Sequence, residues 1–253
     1  MTPDQIADAA RRLAEAERTR SQIGLLSRQY QAMTLDDAYA VQGAFVARRL
    51  AEPGRRRIGW KIGLTSRAMQ AALGITTPDS GVLLDDMAFE DGATIPRGRF
   101  IAPRIEAELA FTFHAPLRGP VTPAQVLDAA AWVMPALEIL DTRILRTDPE
   151  TGRARAIVDT VADNAANAGI VTGGRPMRPG AVDLRWAGAI VARNGVVEET
   201  GLGAGVLNDP LRGIAWLAAR LAAYGGGIEP GEVVLSGSFI RPVECPPGTT
   251  ITA

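Results

Sequence analysis

Glu52-Pro53-Gly54-Arg55-Arg56-Arg57-Ile58-Gly59-Trp60-Lys61-Ile62-Gly63-Leu64 is where the chain changes period, and that change decides the fold. Proline lacks the backbone donor that a helix needs and glycine follows it, so a helix running into this stretch stops there. Upstream, Ile6, Ala9 and Leu13 recur at helical spacing in the Ala/Arg/Glu-rich segment 3–20. Thr34-Leu35-Asp36-Asp37 has the spacing of a capping box and opens a second helix through Tyr39, Val41 and Phe45 to about Leu50. Downstream, β-rich segments at 57–64, 81–85, 105–112, 133–141, 168–173, 186–193, 196–200 and 231–235 alternate with Gly, Pro and Asp turns. Asn194-Gly195 between two of them is a hairpin signal. Thr122-Pro123 and Asp209-Pro210 each join an N-cap to a proline at the first helical position, the second opening a helix through Ile214, Leu217 and Leu221 to Gly225. The expectation is an α+β protein without a βαβ rhythm: a helical N-terminal subdomain, residues 1–54, and a β-rich catalytic body, residues 55–253, forming one structural unit.

The same stretch holds Lys61, the one lysine among 27 basic residues. Arginine stays charged, whereas a desolvated lysine can trade protons, so the two are interchangeable only where a surface charge is wanted. The competing reading is a stem laid along the core with its ammonium reaching water. The apolar, Gly-flanked setting favours a functional lysine. The net charge is −1 with arginines spread along the chain, which leaves no footprint for nucleic acid. No apolar run approaches the ~20 residues of a membrane span, and the first residues lack the regions of a signal peptide. A cytoplasmic protein is expected. Single copies of cysteine (Cys245) and histidine (His114) exclude an internal disulfide and a thiolate metal cluster, and His114 reads as part of the strand Phe111-Thr112-Phe113-His114.

Three acids stand where acids are expensive. In Arg104-Ile105-Glu106-Ala107-Glu108-Leu109-Ala110-Phe111, period two puts Glu106 and Glu108 on one face of a strand. Glu138 interrupts the apolar run Val133–Leu140. Glu106 and Glu108 alone would suit the wet face of an edge strand. Glu138 does not, and buried charges need a partner or a metal. Three oxygen donors without Cys or His suit a hard ion such as Mg²⁺ or Mn²⁺. Asp79 in Thr77-Pro78-Asp79-Ser80-Gly81 is a candidate general base on a turn-like segment. Asn164 in the polar-small run Asp163–Gly169, and Ser238 in Ser236-Gly237-Ser238-Phe239, are candidates to line a pocket. Gly201-Leu202-Gly203-Ala204-Gly205 has the wrong spacing for a dinucleotide fingerprint.

Gly59-Trp60-Lys61-Ile62-Gly63-Leu64-Thr65-Ser66, then Ile105-Glu106-Ala107-Glu108, then Pro135-Ala136-Leu137-Glu138-Ile139, taken in that order, resemble the hydratase/decarboxylase branch of the fumarylacetoacetate hydrolase-like superfamily. The resemblance runs from about residue 4 to the end. Arg146–Arg153, Val158–Gly169, Val182–Trp186 and Arg193–Gly201 look most like the branch's hydratases of seven-carbon oxo-enedioates. Relatives continue past Gly237–Val243 with an acidic-Tyr-Gly segment and a last strand, where this sequence stops at Ala253. The resemblance implies a mixed-β fold and an Mg²⁺ or Mn²⁺ ion held by Glu106, Glu108 and Glu138. It also implies Lys61 and Asp79 as acid/base groups, Lys61 with a pKa lowered by burial and the nearby cation. The implied substrate is a 2-hydroxy-2,4-dienoic acid or its 2-oxo tautomer, met by Arg104, Asn164 and Ser238. A second carboxylate would call for one of Arg104, Arg143, Arg146 and Arg153. A homo-oligomer, pentamer or decamer, is implied as well. The rival readings are a decarboxylase or a pentadienoate hydratase on the same scaffold, and a non-catalytic metal-binding subunit.

Overall fold

A computed structural model describes residues 1–253, apart from the side chains of Met69, Ala72 and Leu73. Helices α1 (Pro3–Thr19), α2 (Leu26–Gln29) and α3 (Leu35–Leu50) precede strand β1 (Arg57–Gly63), and α4 (Arg67–Leu73) follows it. Thr2 with Gln5, and Thr34 with Asp37, close reciprocal caps that satisfy the free N–H groups at the starts of α1 and α3. The buried stripe Ala9, Ala10 and Leu13 of α1 packs with Val41 and Phe45 of α3 and with Ile144, Val161 and Ala162 from the rest of the chain. Helix α6 (Ile157–Ala162), which follows no strong sequence signal, supplies two of these.

The body is a large mixed sheet in the order β2-β1-β9-β4-β5-β6-β3, with β10 pairing alongside β4. Its strands are β1, β2 (Asp79–Leu84), β3 (Ala88–Glu90), β4 (Arg104–Phe113), β5 (Ala130–Leu140), β6 (Asn167–Thr172), β9 (Val233–Leu235) and β10 (Val243–Glu244). A second sheet, β11-β7-β8, joins β7 (Gly188–Arg193), β8 (Val196–Leu202) and β11 (Ile251–Thr252). Asn194-Gly195 does close the β7–β8 hairpin. The very short β3, β10 and β11 escape the sequence reading because two or three residues carry no periodicity. His114 lies one residue beyond β4 and is exposed, so it is not part of that strand.

Period two sorts β4 cleanly. Leu109, Phe111 and Phe113 enter the main core with Ile62, Val126, Ile214, Leu217 and Val234, beneath α5 (Pro123–Ala129) and α7 (Pro210–Ala222). Arg104, Glu106 and Glu108 alternate with these residues and so take the opposite face. Because β4 sits between β5 on one side and β9 and β10 on the other, it is an interior strand. The wet edge-strand alternative for Glu106 and Glu108 is thereby removed.

Candidate active site

The antiparallel register of β4 and β5 sets Glu106 directly opposite Glu138, with Glu108 one same-face step along. Carboxylate oxygens of the three lie within 4.8 Å of one another. Glu138 is fully buried, and neither of its oxygens accepts a hydrogen bond. Glu108 Oε2 accepts the Gly237 N–H at 2.8 Å, while its Oε1 has no donor. Burial pushes the Glu106 carboxyl up to about 8, reinforced by Glu138. Glu108 is driven well above the ordinary range by burial and by both neighbouring carboxylates, and burial raises Glu138 too. Buried, donor-poor, mutually repelling oxygens fit a hard divalent cation, which would supply the missing positive charge.

Lys61 comes from β1, where the adjacent Ile62 turns into the core. Its Nζ stands 3.2 Å from Glu138 Oε1, and the side chain is 4% exposed, which rules out an ammonium reaching water. Burial alone would push its pKa down. The carboxylates of Glu138, Asp79, Glu106 and Glu108 outweigh burial and the net shift is upward. The expected lowering is therefore not what the protein's own residues produce: without a cation, four acids surround one base.

Asp79 faces Gly63 across the β1–β2 ladder, two residues along from the Lys61–Gly81 pair. It is buried and its Oδ1 has no donor. Burial raises its pKa against the pull of Lys61 and Arg155. Gly63 makes this approach possible, since a Cβ there would overlap Asp79 Oδ1. The turn-like Thr77-Pro78-Asp79 thus leads into a buried strand.

The remaining candidates separate. Ser238 lies close enough to Glu106 to lower its pKa, and its hydroxyl donates to the Ile240 carbonyl at 2.8 Å. Asn164 uses its side chain on backbone: Nδ2 donates to Val82 O and Oδ1 accepts Val82 N–H, tying the turn before β6 to β2. Arg143 is committed to Asp163 and to the carbonyls of Asp163 and Asn167. Arg153 is exposed. Arg104 projects from the carboxylate face of β4, with Nη2 on Glu244 at 2.8 Å. Arg146 donates from Nη2 to the Ala102 carbonyl. Arg155 and Gly237 were not singled out by sequence reasoning. Both reach the site through turns, where no periodicity marks which way a side chain or an N–H points.

No family model matches the chain. It is 54% identical over 242 residues, 95% of this chain and 90% of the relative, to a 2-oxo-hept-4-ene-1,7-dioate hydratase from Escherichia coli. A 4-oxalocrotonate decarboxylase from Pseudomonas putida G7, solved with magnesium and adipate, superposes with a TM-score of 0.92 at 36% identity, covering 100% of this chain and 94% of that one. A fumarylpyruvate hydrolase from Pseudomonas aeruginosa shares the fold alone: TM-score 0.54 and 15% identity, over 78% of this chain and 83% of that one. With relatedness running the length of the sequence and the Lys61–carboxylate cluster in its core, the chain belongs to the hydratase/decarboxylase branch of the fumarylacetoacetate hydrolase-like superfamily.

Proposed function

We propose that this protein is a divalent-metal-dependent hydratase that converts 2-hydroxyhepta-2,4-diene-1,7-dioate, by way of its 2-oxo-hept-3-ene tautomer, into 4-hydroxy-2-oxoheptane-1,7-dioate. Its place would be aromatic catabolism of the homoprotocatechuate type, in the cytoplasm. The observation that carries the reading is a buried lysine 3.2 Å from a carboxylate that also faces two more acids. The 54%-identical relative named for a heptenedioate supports the chain length. That relative's 4-ene and the 3-ene tautomer share one dienol.

In this reading Glu106, Glu108 and Glu138 hold Mg²⁺, or Mn²⁺ in its place. Bound there, the ion would supply Lewis acidity to the substrate's oxo-acid end. The protein's own residues handle protons. Tautomerisation moves the C2 hydroxyl proton to C5, leaving C4 electrophilic; hydration then puts hydroxyl on C4 and hydrogen on C3. Lys61, 3.2 Å from Glu138, exchanges the proton at carbon. Asp79, with Oδ1 free of donors, accepts the proton of the attacking water. A homo-oligomer, pentamer or decamer, is part of the proposal. Exposed Trp186, Ile190, Val196, Val197 and Leu202 on and before the β7–β8 hairpin support it, since they concentrate large apolar side chains on one short hairpin segment.

Product analysis tests the reaction class. A product that gains one water and retains all seven carbons fits the hydratase. Release of CO₂ would reassign the same residues to decarboxylation.

A further inference from the structure

After β5 the chain forms a tight hairpin. Thr147 pairs with Ala154, Asp148 N–H donates to Arg153 O at 2.8 Å, and Arg155 N–H donates to Arg146 O at 2.9 Å. Arg146 and Arg155 therefore stand directly opposite each other, a like-charge pairing that disfavours the hairpin unless something lies between them. The hairpin is nevertheless well fixed. Asp148, almost wholly buried, accepts Arg28 Nη1 at 2.7 Å and the N–H groups of Glu150 and Thr151.

Neither arginine has an ion-pair partner among the described residues. Arg155 Nη1 donates to Thr142 Oγ1 at 2.7 Å, and Arg146 Nη2 to the Ala102 carbonyl at 2.8 Å, both neutral acceptors. The acids that act on Arg155 from further off are Asp163, Asp159 and Asp79. Asp163 is spent on Arg143, and Asp159 on Ser27. Other enclosed guanidiniums in this chain are matched: Arg143 with Asp163, Arg49 with Glu17 and Asp86. Burial lowers the pKa of both Arg146 and Arg155; Arg104 adds to it in both, and Arg155 acts on Arg146 as well. Arg104 is thus the third cation of the group; its Nη2 is paired with Glu244 at 2.8 Å, and its Nε is buried without a partner. It sits on the carboxylate face of β4, two residues from Glu106, about 7 Å along the strand. Arg155 also acts on Asp79. Three arginines, with Glu244 the one acid ion-paired among them, therefore stand beside the acid cluster, and Arg146 and Arg155 keep no ion pair of their own among the described residues.

We infer that Arg146 and Arg155, with Arg104 beside them, bind the far carboxylate of the substrate and so select diacids over monoacids. The inference rests on the proposed substrate class and adds which residues read its second charge. A carboxylate placed between side chains that start from opposite positions of one hairpin can accept N–H donors from both and offset their repulsion. Arg143 is excluded by its commitment to Asp163 and Arg153 by its exposure.

The test compares binding of 2-oxoheptanedioate and 2-oxoheptanoate, identical but for the C7 carboxylate, to the Mg²⁺-loaded protein by calorimetry. Wild type is expected to prefer the diacid about a hundredfold. Arg155→Met and Arg146→Met should each erase most of that preference while keeping the affinity for the monoacid, which also reports an intact fold. Arg155→Lys should restore part of it. A wild type that does not discriminate, or a preference that survives both Met variants, would overturn the inference. Turnover of the dienol diacid by wild type is measured separately. Turnover with an unchanged preference sinks the clamp alone, and lost turnover with an arginine-dependent preference sinks the hydratase alone.

Discussion

At Lys61 one side chain carries two duties. It is the positive charge nearest Glu138, and its ammonium is an acid that can surrender a proton and take it back. Lys61→Arg separates them, because arginine keeps the charge and cannot trade the proton. Activity should fall about 10²–10⁴-fold, the usual contribution of a positioned acid/base group, while the melting temperature changes little. Lys61→Met removes the charge as well. Breaking a buried pair costs about 3–5 kcal/mol, so this variant should melt lower, and Mg²⁺ should recover part of the loss. Thermal melts with and without the ion check both. The lysine and the three glutamates are legible in the sequence because each interrupts an apolar strand, where burial follows from period two. Asn164 misleads, since a polar residue in a small-residue run can as readily bond a neighbouring strand's backbone as a ligand.

At the scale of elements, the turns that carry the site are held by backbone bonds that composition does not reveal. Gly237, at φ 115°, donates its N–H to Glu108, and a Cβ there would overlap Thr65. Gly237→Ala should weaken metal binding with little change in secondary structure, read by Mg²⁺ titration and circular dichroism. The 147–154 hairpin hangs on Asp148, whose carboxyl is held down at about 2, first by Arg28 and then by the N–H groups of Thr151 and Glu150. A carboxyl depressed in the folded state stabilises above its unfolded pKa, ordinarily 3.8, and that stability fades as pH falls towards about 2. Asp148→Asn should therefore melt below wild type at neutral pH, with the gap closing between those values. A constant gap down to pH 2 would contradict the assignment. The longer strands and helices are readable because caps and alternation are local. The curl that brings Lys61 of β1 to Glu138 of β5, with β9 and β4 between them in the sheet, is a property of the whole sheet.

For the whole molecule, the acid cluster couples metal binding to protons. Glu106 is pushed up to about 8, and Glu108 and Glu138 are raised as well, so near neutrality the metal-free cluster retains protons that a cation displaces. Acids whose folded pKa is raised above the ordinary 4.5 lend stability at low pH and lose it as pH rises through the folded value. The chelated protein should thus lose stability between about pH 5 and 8, more steeply than the Mg²⁺-loaded one. Calorimetry at pH 7 in two buffers of different ionisation enthalpy should register proton release on Mg²⁺ binding, and zero release would contradict the raised pKa values.

The most direct test of the central claim follows the ultraviolet absorbance of 2-hydroxyhepta-2,4-diene-1,7-dioate with wild type and Lys61→Arg, each with Mg²⁺ and with chelator. The account predicts rapid loss only for wild type with Mg²⁺. Loss that ignores the chelator, or that Lys61→Arg sustains at the wild-type rate, would contradict it.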